Sequence, residues 1–406
     1  MQRRNEQIYK ILSGQNQISS TARICDEYYE SLAGRNLIKA TKTTLVPDRI
    51  LDAPALLDDF YTNTLDWGVR GHVAVALASS VYLWIGDCSD SDASGHVETL
   101  LQQEDNQLVT AVAFLHDGMR LGVGIGTELC IYDIQNGSRV RRMPVFGESG
   151  RVNSLSFHKH LVAVGGRTGV RVHDVRLPFP SSLVYTQNID ACGVKYSFEG
   201  ELLAIGTNDN QVIVVDPRNN CQPLHSWSHD AAVKALAWSP FQTGVLAAGG
   251  GSECRRIDVC NVRVKERVVS CDAGSQVSGI YWDRRNRHSI VSVHGFADNA
   301  IKRWRINPQE GRMQLDCVVE KAHDQRILHA AVSPCGEKLC TAGADECLKF
   351  WSVFDSADRL SSASNSGDRT VLLPKLLPSF AKNKQRASSM FGAGKKTVGS
   401  FLAKKK

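Results

Sequence analysis

The chain has 406 residues, 42% of them hydrophobic and 22% charged, a globular balance with length enough for a large core. No apolar run reaches the roughly 18 to 20 residues of a membrane helix, and the opening stretch MQRRNEQIYKILSGQNQ has no uninterrupted apolar segment after its arginines, which points to an intracellular, soluble protein. The net charge of +6 gathers at the C-terminus, where 375–406 holds nine Lys or Arg and no acid, so the basic balance says little about the rest of the chain.

From the N-terminus, residues 1–46 show only weak helical patterning (EQIYKILSG, CDEYYESLAG) and are expected to form a largely flexible extension. The next stretch, PDRILDAPALLDDFYTNTLDW, sets Asp48, Asp52, Asp58 and Asp59 among apolar residues just before the chain turns repetitive. One unit then recurs: an apolar strand, a turn, a small-residue strand of the LAxG type, a polar turn, and an aliphatic strand ending at an aromatic or equivalent position. The unit ends align at Trp84, Tyr132, His173, Val215, Cys260, Trp304 and Trp351, with gaps of 48, 41, 42, 45, 44 and 47 residues.

Four short strands per unit at this period make a WD-repeat blade, and seven units predict an all-β, seven-bladed WD-repeat β-propeller over residues 47–357. A propeller must bring its last blade against its first, so residues near Asp52 and near Trp351 are expected to be neighbours. Residues 358–406, rich in Ser, Lys and Gly, read as a basic disordered tail that binds nucleic acid or an acidic surface, serves nuclear import or merely solubilises the chain; it lacks the repeated aromatics of a single-strand nucleic-acid groove. Nuclear and cytoplasmic localisation is expected, with neither nucleic acid nor membrane as partner.

The twelve cysteines stand singly, half of them in strand-like runs, which favours buried free thiols over zinc or disulfides. The unit ends at Tyr132, His173, Val215 and Cys260 depart from tryptophan but stay apolar or planar and are expected to fill a blade core. In the last unit His323, Thr341 and Asp345 resemble a hydrolase triad. The structural reading is stronger: aspartate, histidine, hydroxyl and the Trp351 indole form one buried hydrogen-bonded chain in a WD blade. No G-x-S-x-G elbow, H-E-x-x-H helix or phosphate loop occurs, so no catalytic residue and no cofactor is expected. His158 and His160 lack further ligands at metal spacing, and no metal is expected.

Long strings carry a more specific resemblance: PDRILDAP, DDFYTNTLDW, SSVYLW, NDNQVIVV, AAVKALAWSPFQTGVLAAGGGS, DAGSQVSGIYW, HGFADNAIKRW and AGADECLKFW. From Pro47 to Phe354 the chain resembles the Fizzy and Fizzy-related family, the substrate-recruiting coactivators of the anaphase-promoting complex. The resemblance implies a non-catalytic adaptor that captures degrons, the short recognition motifs of cyclins, securin-like proteins and other cell-cycle substrates. It delivers them to the ubiquitin ligase and promotes mitotic progression. Implied partners are ligase subunits, degron-bearing substrates and spindle-checkpoint proteins.

The resemblance also implies two peptide sites. The destruction box, R-x-x-L, falls between the first and last blades at Leu51, Asp52 and Glu346; carboxylates suit its arginine and an apolar wall its leucine. The K-E-N box falls on the face near the axis at Asp59, Asn208, Asn210, Ser252, Gln276 and Arg326, with Ser252 where the family usually has threonine. A carboxylate suits the lysine, an arginine the glutamate, and amides with a hydroxyl the asparagine. Asp48 and Asp58 receive no role and are expected to face solvent.

The family docks on the ligase through a D-R-[YF]-I-P-x-R box and a terminal Ile-Arg. Residues 1–46 contain no such box, and the sequence closes on Lys404, Lys405 and Lys406. Degron reading is therefore better supported than ligase activation, and the alternative is an inhibitor or sequestering propeller of the same family. A docking trace survives at YKILSGQNQ, centred on Lys10, Ile11 and Leu12. Arg369 to Leu372, RTVL, matches R-x-x-L, which raises self-recognition as an expectation of little weight.

Overall fold

Strands form here because runs such as Val109–Phe114 and Val233–Trp238 are built from β-branched, aromatic and small residues, and both are buried at every position. Burial on both faces is what a sheet sandwiched between two others demands, which is why these strands read as continuous apolar runs rather than alternating ones. Outer strands differ: Gln222–Ser228 and Arg139–Pro144 are mostly exposed and carry the polar residues. The computed structural model describes residues 41–354 apart from 43–44, 87–94, 149, 178–182, 186–188, 220–221, 297 and 308–309. The expected docking segment at Lys10, Ile11 and Leu12 and the tail with Arg369 to Leu372 lie outside the described residues.

Seven sheets of antiparallel strands follow one another along the chain, the first being Leu65–Trp67, Val73–Leu77, Ser80–Ile85 and His96–Gln102. Each of the seven unit ends lies in the third strand of its sheet, and each is buried. The fold is a seven-bladed β-propeller, all-β among the described residues. The hairpins between first and second strands use glycine where φ turns positive, as at Gly200 and Gly336, both at +75°.

The seventh blade takes three strands from the end of the repeats, Ile327–Val332, Leu339–Gly343 and Cys347–Trp351, and its fourth from the beginning, Arg49–Asp52. Arg49 pairs opposite Phe350, Leu51 opposite Leu348 and Asp52 opposite Cys347, so the expected neighbours meet. Closure is then locked by packing. Phe350 stands edge-on to Trp67 at 5.5 Å and tilted against Trp84 at 4.9 Å, amid Ala53, Leu56 and Leu328. Such aromatic pairs add about 0.5–1.5 kcal/mol each beyond their buried area. One further strand, Thr41–Lys42, pairs in parallel with the outer strand of the sixth blade, Arg312–Val319.

Hydrogen bonds that skip blades mark the axis. Asn63, leading into the first blade, donates through Nδ2 to the carbonyls of Asn153 in the third (2.9 Å) and Cys192 in the fourth (3.2 Å). Lys234 of the fifth blade donates through Nζ to the Leu328 carbonyl of the seventh at 2.8 Å and meets His329 Nδ1 at 3.1 Å. These groups can meet only across the centre.

The cysteines Cys130, Cys192, Cys260, Cys317 and Cys340 are buried free thiols, while Cys335 is exposed. Tyr132, Val215 and Cys260 fill their blade cores as expected. His173 does so with both ring nitrogens buried and, among the described residues, without a hydrogen-bond partner, and burial drives its pKa down to about 4.

Candidate functional site

In a four-stranded antiparallel blade, the start of the innermost strand and the turn between second and third strands lie at the same end. Asn208 and Asn210 occupy that turn in the fourth blade, Ser252 in the fifth and Glu346 in the seventh. Gln276 and Arg326 directly precede the innermost strands Val277–Trp282 and Ile327–Val332, and Asp59 lies in the segment leading to the first blade. All of these therefore share one end of the propeller. Leu51 and Asp52 lie on the closing strand where it runs beside Cys347, so they reach the same end at the rim of the seventh blade.

At the rim, Leu51 packs against the cluster between first and seventh blades, while Asp52 is exposed. Glu346 adopts φ +56°, accepts the Ala53 N–H through its carbonyl at 2.7 Å, and accepts the Ala55 N–H through Oε1 at 3.0 Å. Strand closure thus brings Leu51 and Asp52 from the start of the repeat region to the turn that carries Glu346 near its end.

Nearer the axis, Asp59 accepts the Tyr61 N–H through Oδ1 and Arg151 Nη1 through Oδ2, both at 2.9 Å. Arg151 belongs to the third blade, so this ion pair spans the second blade at the mouth of the channel. Arg151 Nε also donates to Asn153 Oδ1 at 2.8 Å, and Asn153 Nδ2 to Asp190 Oδ1 at 2.9 Å. The Asp190 carbonyl accepts the Asn208 N–H at 2.8 Å, which ties the fourth-blade turn into the same network. Asn210 holds φ +63°, a conformation asparagine tolerates, and its carbonyl accepts the His229 N–H at 2.7 Å.

Arg326 lies over the half-exposed Phe296 ring at 4.7 Å and donates through Nε to Asp58 Oδ1 at 2.5 Å and through a terminal nitrogen to the Asp58 carbonyl at 2.9 Å. Gln276 is 6% exposed, and its Oε1 has no hydrogen-bond partner among the described residues. A Cβ added at Gly295 would come within 2.4 Å of that oxygen and 3.4 Å of the Arg326 Cβ, so a glycine leaves the room between them.

Beneath the mouth, Lys234 sits 5.4 Å from the Phe60 ring centroid, and burial lowers its pKa to about 7, against the pull of Asp59 and Cys192. Burial likewise raises the Asp190 carboxyl and the Cys192 thiol and pushes His329 well below its ordinary value.

Two aspartates correct the sequence reading. Asp58 does not simply face solvent but pairs with Arg326, and Asp48 accepts Ser352 Oγ at 2.7 Å and lies 3.2 Å from Lys338 Nζ. All three partners come from the seventh blade or its edges, which only closure brings near. Arg151, Asn153, Asp190 and Lys234 were not singled out by sequence. A signal did exist for Arg151: it stands one residue before the innermost strand of the third blade, the repeat position that Arg326 holds in the seventh.

The triad-like set of the last blade is the expected chain. His323 Nδ1 meets Asp345 Oδ1 at 2.8 Å, His323 Nε2 meets Thr341 Oγ1 at 2.7 Å, and Trp351 Nε1 donates to the same oxygen at 2.9 Å. Thr341 is fully buried, so its hydroxyl is not presented to a substrate. His158 packs near Tyr196 with ring centroids 6.0 Å apart, and His160 lies 3.6 Å from Asp174. Among the described residues no group of three or more metal-ligating side chains converges.

The architecture is that of a WD-repeat β-propeller whose polar turns collect at one end. Residues 51–351 match the family model of the CDC20/Fizzy WD40 domain. The chain is 39% identical over 312 residues to the WD repeat-containing protein slp1 of Schizosaccharomyces pombe, covering 76% of this chain and 62% of that protein. It is 35% identical over 324 residues to the anaphase-promoting complex subunit cdc20 of Dictyostelium discoideum, covering 78% and 62%. A solved chain from the crystal structure of a mitotic checkpoint complex superposes with a TM-score of 0.71 at 36% identity, over 79% of this chain and 96% of that one. The chain belongs to the CDC20/Fizzy family, and it spans about three fifths of the length of the first two relatives.

Proposed function

We propose that this chain is a substrate-reading coactivator of the anaphase-promoting complex, binding destruction-box and K-E-N peptides of cell-cycle proteins without catalysing a reaction itself. The observation that carries the reading is Gln276, a buried amide oxygen without a partner among the described residues, beside Arg326 and at the same end as Asp59. An unmet buried acceptor costs about 1–3 kcal/mol, and a peptide asparagine amide would relieve it. In this reading Asn208, Asn210 and Ser252 complete the asparagine pocket, Asp59 takes the lysine and Arg326 the glutamate. At the rim Asp52 and Glu346 take the destruction-box arginine and Leu51 its leucine. Relatives bearing the names of anaphase-promoting complex cofactors, and the propeller of the mitotic checkpoint complex, support ligase and spindle-checkpoint partners.

Each motif is short, so selectivity arises when one substrate holds both sites at once. The test is binding of labelled peptides together with co-purification from cells. Asp52→Ala or Glu346→Ala should weaken destruction-box peptides, and Asn208→Ala or Arg326→Ala should weaken K-E-N peptides. Unchanged affinity in all four variants overturns the reading. Peptide binding without co-purifying ligase subunits assigns the chain to the sequestering form instead.

A further inference from the structure

Both charged members of the K-E-N face are already paired within the chain. Asp59 holds Arg151 at 2.9 Å, and Arg326 holds Asp58 at 2.5 Å. The two internal carboxylates are sequence neighbours on one segment, whereas the two arginines come from the third and seventh blades at equivalent repeat positions. An incoming peptide lysine meets a carboxylate whose Oδ2 is occupied by a guanidinium and whose Oδ1 is occupied by the Tyr61 N–H. An incoming glutamate meets a guanidinium whose Nε is spent on a carboxylate.

We propose that the K-E-N peptide binds by ion-pair exchange, with Arg151 standing in for the peptide lysine and Asp58 for the peptide glutamate in the empty protein. This inference rests on the K-E-N reading above and adds two specificity-determining residues to it. The number of ion pairs is the same before and after: two internal pairs open and two intermolecular pairs form. Charge therefore contributes selectivity and little net affinity, and the affinity comes from neutral contacts at Gln276 and the asparagines. Arg151 is suited to the exchange because its side chain is 37% exposed and keeps Asn153 Oδ1 as a partner when Asp59 leaves; Asp58, 58% exposed, is rehydrated on release. Exposed pairs of this kind are worth about 0.2–1 kcal/mol, so deleting a stand-in is expected to tighten binding by about 1.4- to 5-fold.

The test measures peptides that carry a destruction box followed by K-E-N, A-E-N or K-A-N, so that versions lacking one charge stay measurable. Arg151→Gln should tighten K-E-N and leave A-E-N unchanged, Arg151→Lys should behave as wild type, and Asp58→Asn should tighten K-E-N and leave K-A-N unchanged. Weaker K-E-N binding by Arg151→Gln and Asp58→Asn, or tightening indifferent to the peptide charge, overturns the exchange. Asn208→Ala separates the two levels. If it weakens K-E-N while the exchange signature is missing, only the exchange fails; if it changes nothing, the K-E-N reading fails and takes the exchange with it. Melting temperatures of the variants at wild-type level show that the fold is intact.

Discussion

The seventh and third blades solve the same packing problem in opposite ways. Each buries a large planar residue at the end of its third strand, Trp351 in one and His173 in the other. In the seventh blade every polar atom of the chain from Trp351 through Thr341 and His323 to Asp345 has a partner. In the third blade the imidazole is buried with neither nitrogen paired among the described residues, and desolvation with the nearby Arg171 charge holds it neutral. A WD blade thus holds its planar residue either in a completed network or, at the cost of unmet ring nitrogens, as a neutral imidazole of similar size.

The contrast can be broken most severely at the closure that the seventh blade alone performs. Phe350→Ala removes the ring between Trp67 and Trp84 and is expected to cost about 3–5 kcal/mol, read as a drop in the denaturant midpoint. Asp345→Ala leaves the His323 ring N–H without its acceptor and should cost about 1–3 kcal/mol. His173→Phe in the third blade, by contrast, should fall within about 1.5 kcal/mol of wild type in either direction, because it replaces an unpaired ring by an apolar one. Equal losses for Asp345→Ala and His173→Phe would erase the distinction between the two blades.

Acid sharpens it further. The folded pKa of His173 is about 4, below the ordinary 6.5, so between those values the unfolded chain binds a proton that the folded chain refuses. The His173 contribution is therefore present above pH 6.5 and is lost as pH falls toward 4. Melting of wild type should drop relative to His173→Phe over that window by on the order of a few °C.

Lys234 moves stability in an alkaline window rather than an acid one. Its folded pKa of about 7 lies below the ordinary 10.5, so the cost of burying its charge is full below pH 7 and fades as pH rises toward 10. The melting temperature of wild type relative to Lys234→Met should rise across that interval, and a gap that stays flat would place the ammonium in a solvated site.

Much of this was legible because repeats declare their own register. The aligned positions from Trp84 to Trp351 all fell in third strands, and the closing strand met the last blade as ring geometry requires. The same register gathers Asn208, Asn210, Ser252, Glu346, Gln276 and Arg326 at one end, since antiparallel strands fix which turns share an end. The pairings of Asp48 and Asp58 went unread because their partners, Lys338, Ser352 and Arg326, lie far along the chain, 268 residues away for Asp58 with Arg326 and 304 for Asp48 with Ser352. Arg151 and Lys234 escaped notice for a related reason, as their partners sit across the ring rather than along the chain.

Sequence by itself determined the number of blades, the phase of their strands and the end at which the polar turns collect, because each of these follows from local periodicity. The tertiary structure alone decided which charge faces which. Ion pairs such as Asp59 with Arg151 and Arg326 with Asp58 depend on angles accumulated around a closed ring, and no local pattern records a distance across the axis.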